Sequence, residues 1–192
     1  HSVGNFGGRI SGDGNSILFS NYSDNSYAGK IFVYRNTSGT TWTKIGEFSG
    51  GNTGNHLGLG PAISYDGNRV TLNERNYDFD ENGNAASDIG RVRIFEYSGN
   101  GTTWSQVGNT IYGMKSGDTL AESCDFSKDG SIVALGTKVS GYVEVYQYNN
   151  TSNTWNQIGS RITDGAAHFG QGVRLSNDGT ILLISDYQEN SS

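Results

Sequence analysis

One proline, one methionine and one cysteine stand in a chain of 192 residues, and only 17% of its residues are charged. The lone thiol, Cys124, excludes an internal disulfide framework. Leu, Ala, Glu and Lys are too scarce for long helices. No apolar run approaches membrane-spanning length, so no membrane insertion is expected. The 13 basic residues are outnumbered by 19 acidic ones and are scattered. A duplex-binding surface needs clustered Lys and Arg to displace counterions, so nucleic acid is not an expected partner. The chain opens at His1 with neither Met nor a signal-like segment, which reads as a mature product or a fragment.

What the sequence has instead is 29 Gly, 11 Tyr and abundant Asn, Ser and Thr. Gly, Asn and Asp suit tight turns, while Tyr, Val, Ile, Thr and Phe suit the strands between them. An all-β fold is expected. Rich Asn, Ser, Thr and Gly with little Lys and Glu points to an extracellular or cell-surface setting.

Three landmarks recur. Ser11-Gly12-Asp13-Gly14 returns at Ser64, Ser127 and Ser176, placing Asp13, Asp66, Asp129 and Asp178 in equivalent turns. Asp-Gly between apolar runs is a hairpin signal, because both residues tolerate the positive φ of a two-residue turn. Gly29-Lys30-Ile31-Phe32-Val33-Tyr34 matches the segments opening at Gly90 and Gly141. There Arg93 and Glu144 alternate with apolar neighbours, as in a strand with one solvated face. Trp42, Trp104 and Trp155 each open a Trp-x-x-Ile/Val-Gly segment.

The landmark Gly precedes its Trp by 13, 14 and 14 residues, and the next Ser-x-Asp-Gly follows at 22, 23 and 21. Only the stretch before the landmark Gly varies, as a loop should. Each unit therefore reads as strand A, Asp-Gly turn, strand B, variable loop, strand C, polar turn and strand D. That is one four-stranded antiparallel blade of a β-propeller. Blade 1 is assigned to residues 1–54, blade 2 to 55–118 with a long acidic B–C loop at 76–89, and blade 3 to 119–165. Residues 166–192 hold strands A and B of a partial blade 4. The half-blade leaves an open sheet edge, a hazard unless covered. It is completed either by a further segment of a longer chain or by another chain, which would build a filament.

His168-Phe169-Gly170 through Ser176-Asn177-Asp178-Gly179, with the segments at Gly141 and Trp155, resembles propeller repeats related to the FG-GAP class. Such repeats occur in integrin-α-like ectodomains and in secreted microbial and algal proteins. The resemblance covers nearly the whole chain and implies fold far more than function. It departs at Leu120-Ala121-Glu122, which replaces the Phe-Gly pair, and at Asn5-Phe6-Gly7, which is displaced by two or three residues. The calcium-binding strand-turn that the resemblance implies is missing, since Ser-x-Asp-Gly carries one acidic residue per turn.

Asp78-Phe79-Asp80-Glu81-Asn82-Gly83-Asn84 reads as the opening of a calcium loop, with alternate oxygens around a hard cation and Gly at the sharp turn. Ile89 stands where the closing Glu belongs, leaving Asp88 as its substitute. Against calcium stands the plainer reading of a solvated acidic turn. N-glycosylation sequons start at Asn21, Asn36, Asn100, Asn149, Asn150 and Asn190. Asn36, Asn100, Asn149 and Asn150 fall four to six residues before a blade Trp, which would place glycans on equivalent turns. Turns favour such residues in any case.

The three Trp suit sugar stacking or, given their regular place, packing. His56 and His168 are repeat-equivalent, which fits a structural role better than a metal pair, and Cys124 fits a buried strand A. No catalytic triad or phosphate loop can be assembled, so no enzyme is expected. The expected function is a structural or adhesive module, N-glycosylated and self-associating into a surface filament. The alternative is a calcium-assisted module of a larger receptor or adhesin that binds glycans or extracellular proteins.

Overall fold

Every Ser-x-Asp-Gly segment joins two antiparallel strands, and from these hairpins the molecule is built. The structure, a computed structural model, describes residues 7–166 and 168–186. The first sheet orders β1 (Arg9–Ile10), β2 (Ser16–Asn21), β3 (Lys30–Asn36) and β4 (Trp42–Ser49) side by side. The second contains β5 (Arg69–Glu74), β6 (Arg91–Tyr97) and β7 (Trp104–Gln106), with β8 (Ile111–Tyr112) also paired to β6. The third runs β9 (Ser123–Phe126), β10 (Ile132–Gly136), β11 (Val143–Asn149), β12 (Thr154–Gln157). A final hairpin joins β13 (Gly172–Leu175) to β14 (Leu182–Ser185). All pairings between these strands are antiparallel, giving three blades and half of a fourth.

Blade 2 departs locally from the scheme for a visible reason. Its strand A shrinks to the bridge between Ile63 and Val70. Pro61 lacks an amide hydrogen there, and the Thr71 hydroxyl accepts from the Ala62 N–H at 2.8 Å. Strand D breaks into β7 and β8 at Gly108, whose φ is +74°. In blade 1 the equivalent Gly46 is free of positive φ and β4 runs on, with an irregularity opposite at Val33/Tyr34.

The hairpin turns differ from the two-residue geometry expected of Asp-Gly. In all four, only the glycine takes positive φ, at +75°, +69°, +69° and +71° for Gly14, Gly67, Gly130 and Gly179. The glycine N–H donates to the serine carbonyl three residues earlier, at 2.9–3.0 Å. The aspartate works through its side chain: Asp66 Oδ1 accepts from Ser64 Oγ at 2.6 Å and from the Asn68 N–H at 2.9 Å. Asp13, Asp129 and Asp178 repeat the device.

The core lies between blades. One cluster joins Leu18, Ile31, Val33 and Ile45 of blade 1 to Leu57, Ile63, Val70 and Leu72 of blade 2. A second joins Val92 and Ile94 to Phe126, Val133, Leu135 and Trp155. A third packs Ala134, Val143 and Val145 on Val173, Leu182 and Ile184. Sheets thus stack face to face, which corrects the expectation of a solvated strand face. Glu144 is buried and paired with Arg161, and Arg93 reaches the buried Glu74.

Candidate functional site

Strands B and C meet at one end of each blade, and there the long acidic loop of blade 2 closes on itself. Phe79 bridges Ala85, and the Asp80 and Asn84 backbones pair at 2.9 Å. Asp80 Oδ1 accepts the N–H groups of Asn82 and Asn84 at 2.9 and 2.8 Å, while its Oδ2 accepts from Asn84 Nδ2. Those bonds, the Asn84 side chain foremost, hold the Asp80 carboxyl below its usual range. Asp78 Oδ1 accepts the Asp88 N–H at 2.8 Å. The candidate ligands Asp78, Asp80, Asn82, Asn84 and Asp88 therefore share one loop, with Asp78 and Asp80 engaged by its own amides. Among the described residues no group of three or more His, Cys, Asp or Glu is placed to hold a metal.

Beside this loop opens a cleft of about 390 Å³. Asp80, Glu81 and Asn82 line it together with Tyr112, Met114 and Tyr146 and the buried Ile89 and Ile111. Behind it lies a buried polar network that sequence reading missed. Asp118 accepts the Met114 and Lys115 N–H groups, the Tyr142 hydroxyl at 3.0 Å and the Ser140 hydroxyl at 2.7 Å. Glu144 accepts from Arg161 at 2.7 Å and from the Tyr146 hydroxyl at 3.0 Å. Burial, and next the Asp118 charge on Tyr142 and the Glu144 charge on Tyr146, push both phenols well above their usual range. Glu74 takes Arg91 at 2.5 Å and Arg93 at 3.1 Å. The available signal was repeat mismatch: Glu74 stands where blade 1 has Asn21 and blade 3 has Thr137.

The tryptophans divide. Trp104 Nε1 donates across to the Ile45 carbonyl of blade 1 at 2.7 Å, and Trp155 Nε1 to the Val107 carbonyl of blade 2 at 2.9 Å. Both serve packing; Trp42 is exposed. His56 and His168 share a backbone position with Thr119, and all three adopt positive φ, at 55°, 76° and 50°. That position fixes a loop conformation, while burial and Arg75 hold the His56 imidazole below its ordinary value. Cys124 lies fully buried on β9, where burial raises its thiol to about 12. The sequons Asn100, Asn149 and Asn150 are exposed in C–D turns, and Asn36 is half-buried at the end of β3. By the antiparallel order these turns occupy the blade ends opposite the cleft; Asn21, ending β2, lies on the cleft side. Asn190 falls outside the described residues.

No family model matches the chain, and no curated protein matches it in sequence. Solved structures do match in shape. A 6-phosphogluconolactonase-like protein of Bacteroides uniformis aligns at TM-score 0.63 and 20% identity, over 95% of this chain and 49% of that one. Hydrazine synthase of Kuenenia stuttgartiensis aligns at TM-score 0.62 and 13% identity, over 100% and 44%. TolB of Acinetobacter baumannii aligns at 0.54 and 15%, over 97% and 39%. The likeness is one of fold. All three are propeller-type folds, and this chain spans less than half the length of each.

Proposed function

We propose that the chain is a non-enzymatic structural or adhesive propeller module of the cell surface or extracellular space, related to FG-GAP-type blades. One observation carries this reading: the acidic groups best placed for chemistry are engaged inside the fold. The four turn aspartates clamp hairpins, and Glu74, Asp118 and Glu144 anchor arginines, tyrosines and loop amides. What the described residues offer outward includes the polar turns that bear the sequons. N-linked glycans on Asn36, Asn100, Asn149 and Asn150 would crowd one end of the blades and leave the other open. Asn21 would carry its glycan at the cleft end.

Two assays test this. Intact mass of protein from its native source should fall on enzymatic deglycosylation, and an unmodified mass removes the glycan component. Incubation with 6-phosphogluconolactone should leave the lactone at its spontaneous hydrolysis rate; protein-dependent hydrolysis would overturn the non-enzymatic reading.

A second reading is favoured by the cleft, which Tyr112 and Tyr146 line together with Asp80 and Glu81. It is a calcium-assisted module for glycans or proteins, with Asp78, Asp80, Asn82, Asn84 and Asp88 supplying oxygens. Calorimetric titration should then show calcium heat that an Asp78→Ala, Asp80→Ala chain lacks.

A further inference from the structure

Three times inside the molecule a guanidinium lies over a tyrosine ring and pairs with a glutamate. The Arg91 guanidinium lies 3.6 Å from the Tyr77 ring centre, with its Nε 2.5 Å from Glu74. Arg161 lies 3.7 Å from the Tyr142 ring centre and 2.7 Å from Glu144. Arg69 lies 4.9 Å from that of Tyr148 and 3.0 Å from Glu96. The chemistry suits arginine: a planar, weakly hydrated cation stacks on the ring face while its edge N–H groups meet carboxylate oxygens.

The cleft at the junction of blades 2 and 3 holds the ring and the carboxylate of this set without the cation. Tyr112, Tyr146, Asp80 and Glu81 line it, and its lining includes no Lys, Arg or His. Among the described residues, no arginine or lysine lies over either tyrosine ring and no ion pair engages either carboxylate. The Asp80 carboxylate accepts the amides of its own loop, whereas no described hydrogen bond engages the exposed Glu81 carboxylate. Both tyrosines are positioned by the internal sets: Tyr112 packs on Tyr77, ring centres 6.2 Å apart, and the Tyr146 hydroxyl donates to Glu144 at 3.0 Å.

The remaining charges favour a cation too. Arg161 reaches the Met114 sulfur, but Glu144 matches its charge. The buried Asp118, which accepts the Met114 and Lys115 N–H groups, is in no described ion pair. Lys115 is exposed and does not line the cleft. Every lining residue falls between Asp80 and Tyr146, within two complete blades.

We propose that this cleft binds an arginine side chain of a partner protein, its guanidinium stacked on Tyr112 and paired with Glu81, as Arg91 and Arg161 are seated inside the fold. The proposal rests on the second reading for the cleft as a binding site, and names a basic protein segment as the ligand. The partner supplies the cation, so calcium is not required.

The test titrates a blocked Gly-Arg-Gly peptide into the isotope-labelled 192-residue chain in a chelating buffer and follows backbone amide shifts by NMR. Saturable shifts are expected around residues 80–82, 109–114 and 146. The citrulline counterpart, equal in shape but uncharged, should bind about 10-fold more weakly or less still, and added salt should weaken the arginine peptide. Glu81→Gln and Tyr112→Leu should each weaken it by about 3- to 10-fold, while Tyr112→Phe keeps the ring and the affinity. Unchanged shifts away from the cleft show that each variant is folded. Absence of saturable shifts at the cleft overturns the proposal, as does a citrulline peptide that binds equally well. A lysine peptide that binds as tightly overturns the assignment to a guanidinium. Cleft shifts with maltotriose and none with the arginine peptide overturn it in favour of a glycan. Calcium heat is measured separately, so calcium binding without peptide binding would sink this proposal and leave the second reading standing.

Discussion

A carboxylate that caps its own hairpin is the recurring residue-scale device. Asp66 and its three counterparts each accept a serine hydroxyl and a backbone amide. In Asp178 the Ser176 hydroxyl is the leading cause that lowers the carboxyl to about 2. Asp13, Asp66 and Asp129 are lowered too; burial opposes the shift most strongly in the first two and the hydrogen bonds outweigh it. A carboxyl depressed on folding stabilises above its unfolded value of about 3.9, and that stability is lost as pH falls through the folded value. The thermal midpoint should therefore be level above about pH 5 and fall between about pH 4 and 2. An Asp66→Ala chain should lose about 1 kcal/mol in a denaturant titration at pH 7 and show a shallower acid decline. Cys124 yields a different prediction. Buried and held as a thiol, it should resist a disulfide reagent in native protein at pH 8 and react promptly in denaturant.

At the scale of the element, Trp-x-x-Ile/Val-Gly is a lock whose key comes from the next blade. A side chain at Gly108 would lie 2.5 Å from Trp155 Cδ1, whereas Gly159 has nothing within 4 Å. Their φ values are nearly equal, at +74° and +71°, so replacement by alanine strains both backbones by about 1–2 kcal/mol. Gly108→Ala should cost more than Gly159→Ala in a thermal melt, and the excess measures the indole contact alone. Trp155→Phe should likewise cost about 3 kcal/mol or less, from a lost hydrogen bond and a partly vacated site. Trp42→Phe should cost almost nothing in the monomer. Sequence spacing located every one of these segments. It favoured packing over sugar stacking for all three tryptophans, and the exposed Trp42 shows why spacing fell short: a repeat position is buried only when a neighbouring blade covers it.

For the whole molecule, stacking rather than pairing decides the energetics. Backbone hydrogen bonds complete each sheet, but the apolar clusters form only where one sheet meets the next. Substitutions at the middle interface, such as Val133→Ala, should therefore destabilise by about 2 kcal/mol and broaden the unfolding transition by uncoupling blades 2 and 3. Equilibrium denaturation followed at two wavelengths would show it as non-coincident curves.

The order of strands, the position of the hairpins and the half-finished fourth blade follow from the sequence alone, because turn chemistry and a period of two are local properties. Asp-Gly, landmark glycine and tryptophan each announce themselves within a few residues. Other features depend on side chains brought together from 20 or more positions apart, such as Asp118 with Ser140 and Tyr142, or Arg35 with Gly67. No local pattern encodes which repeat position will hold a buried ion pair, nor that a strand reading as half-solvated is covered on both faces. Those were settled by the stacking of the blades, since burial belongs to the neighbour as much as to the residue.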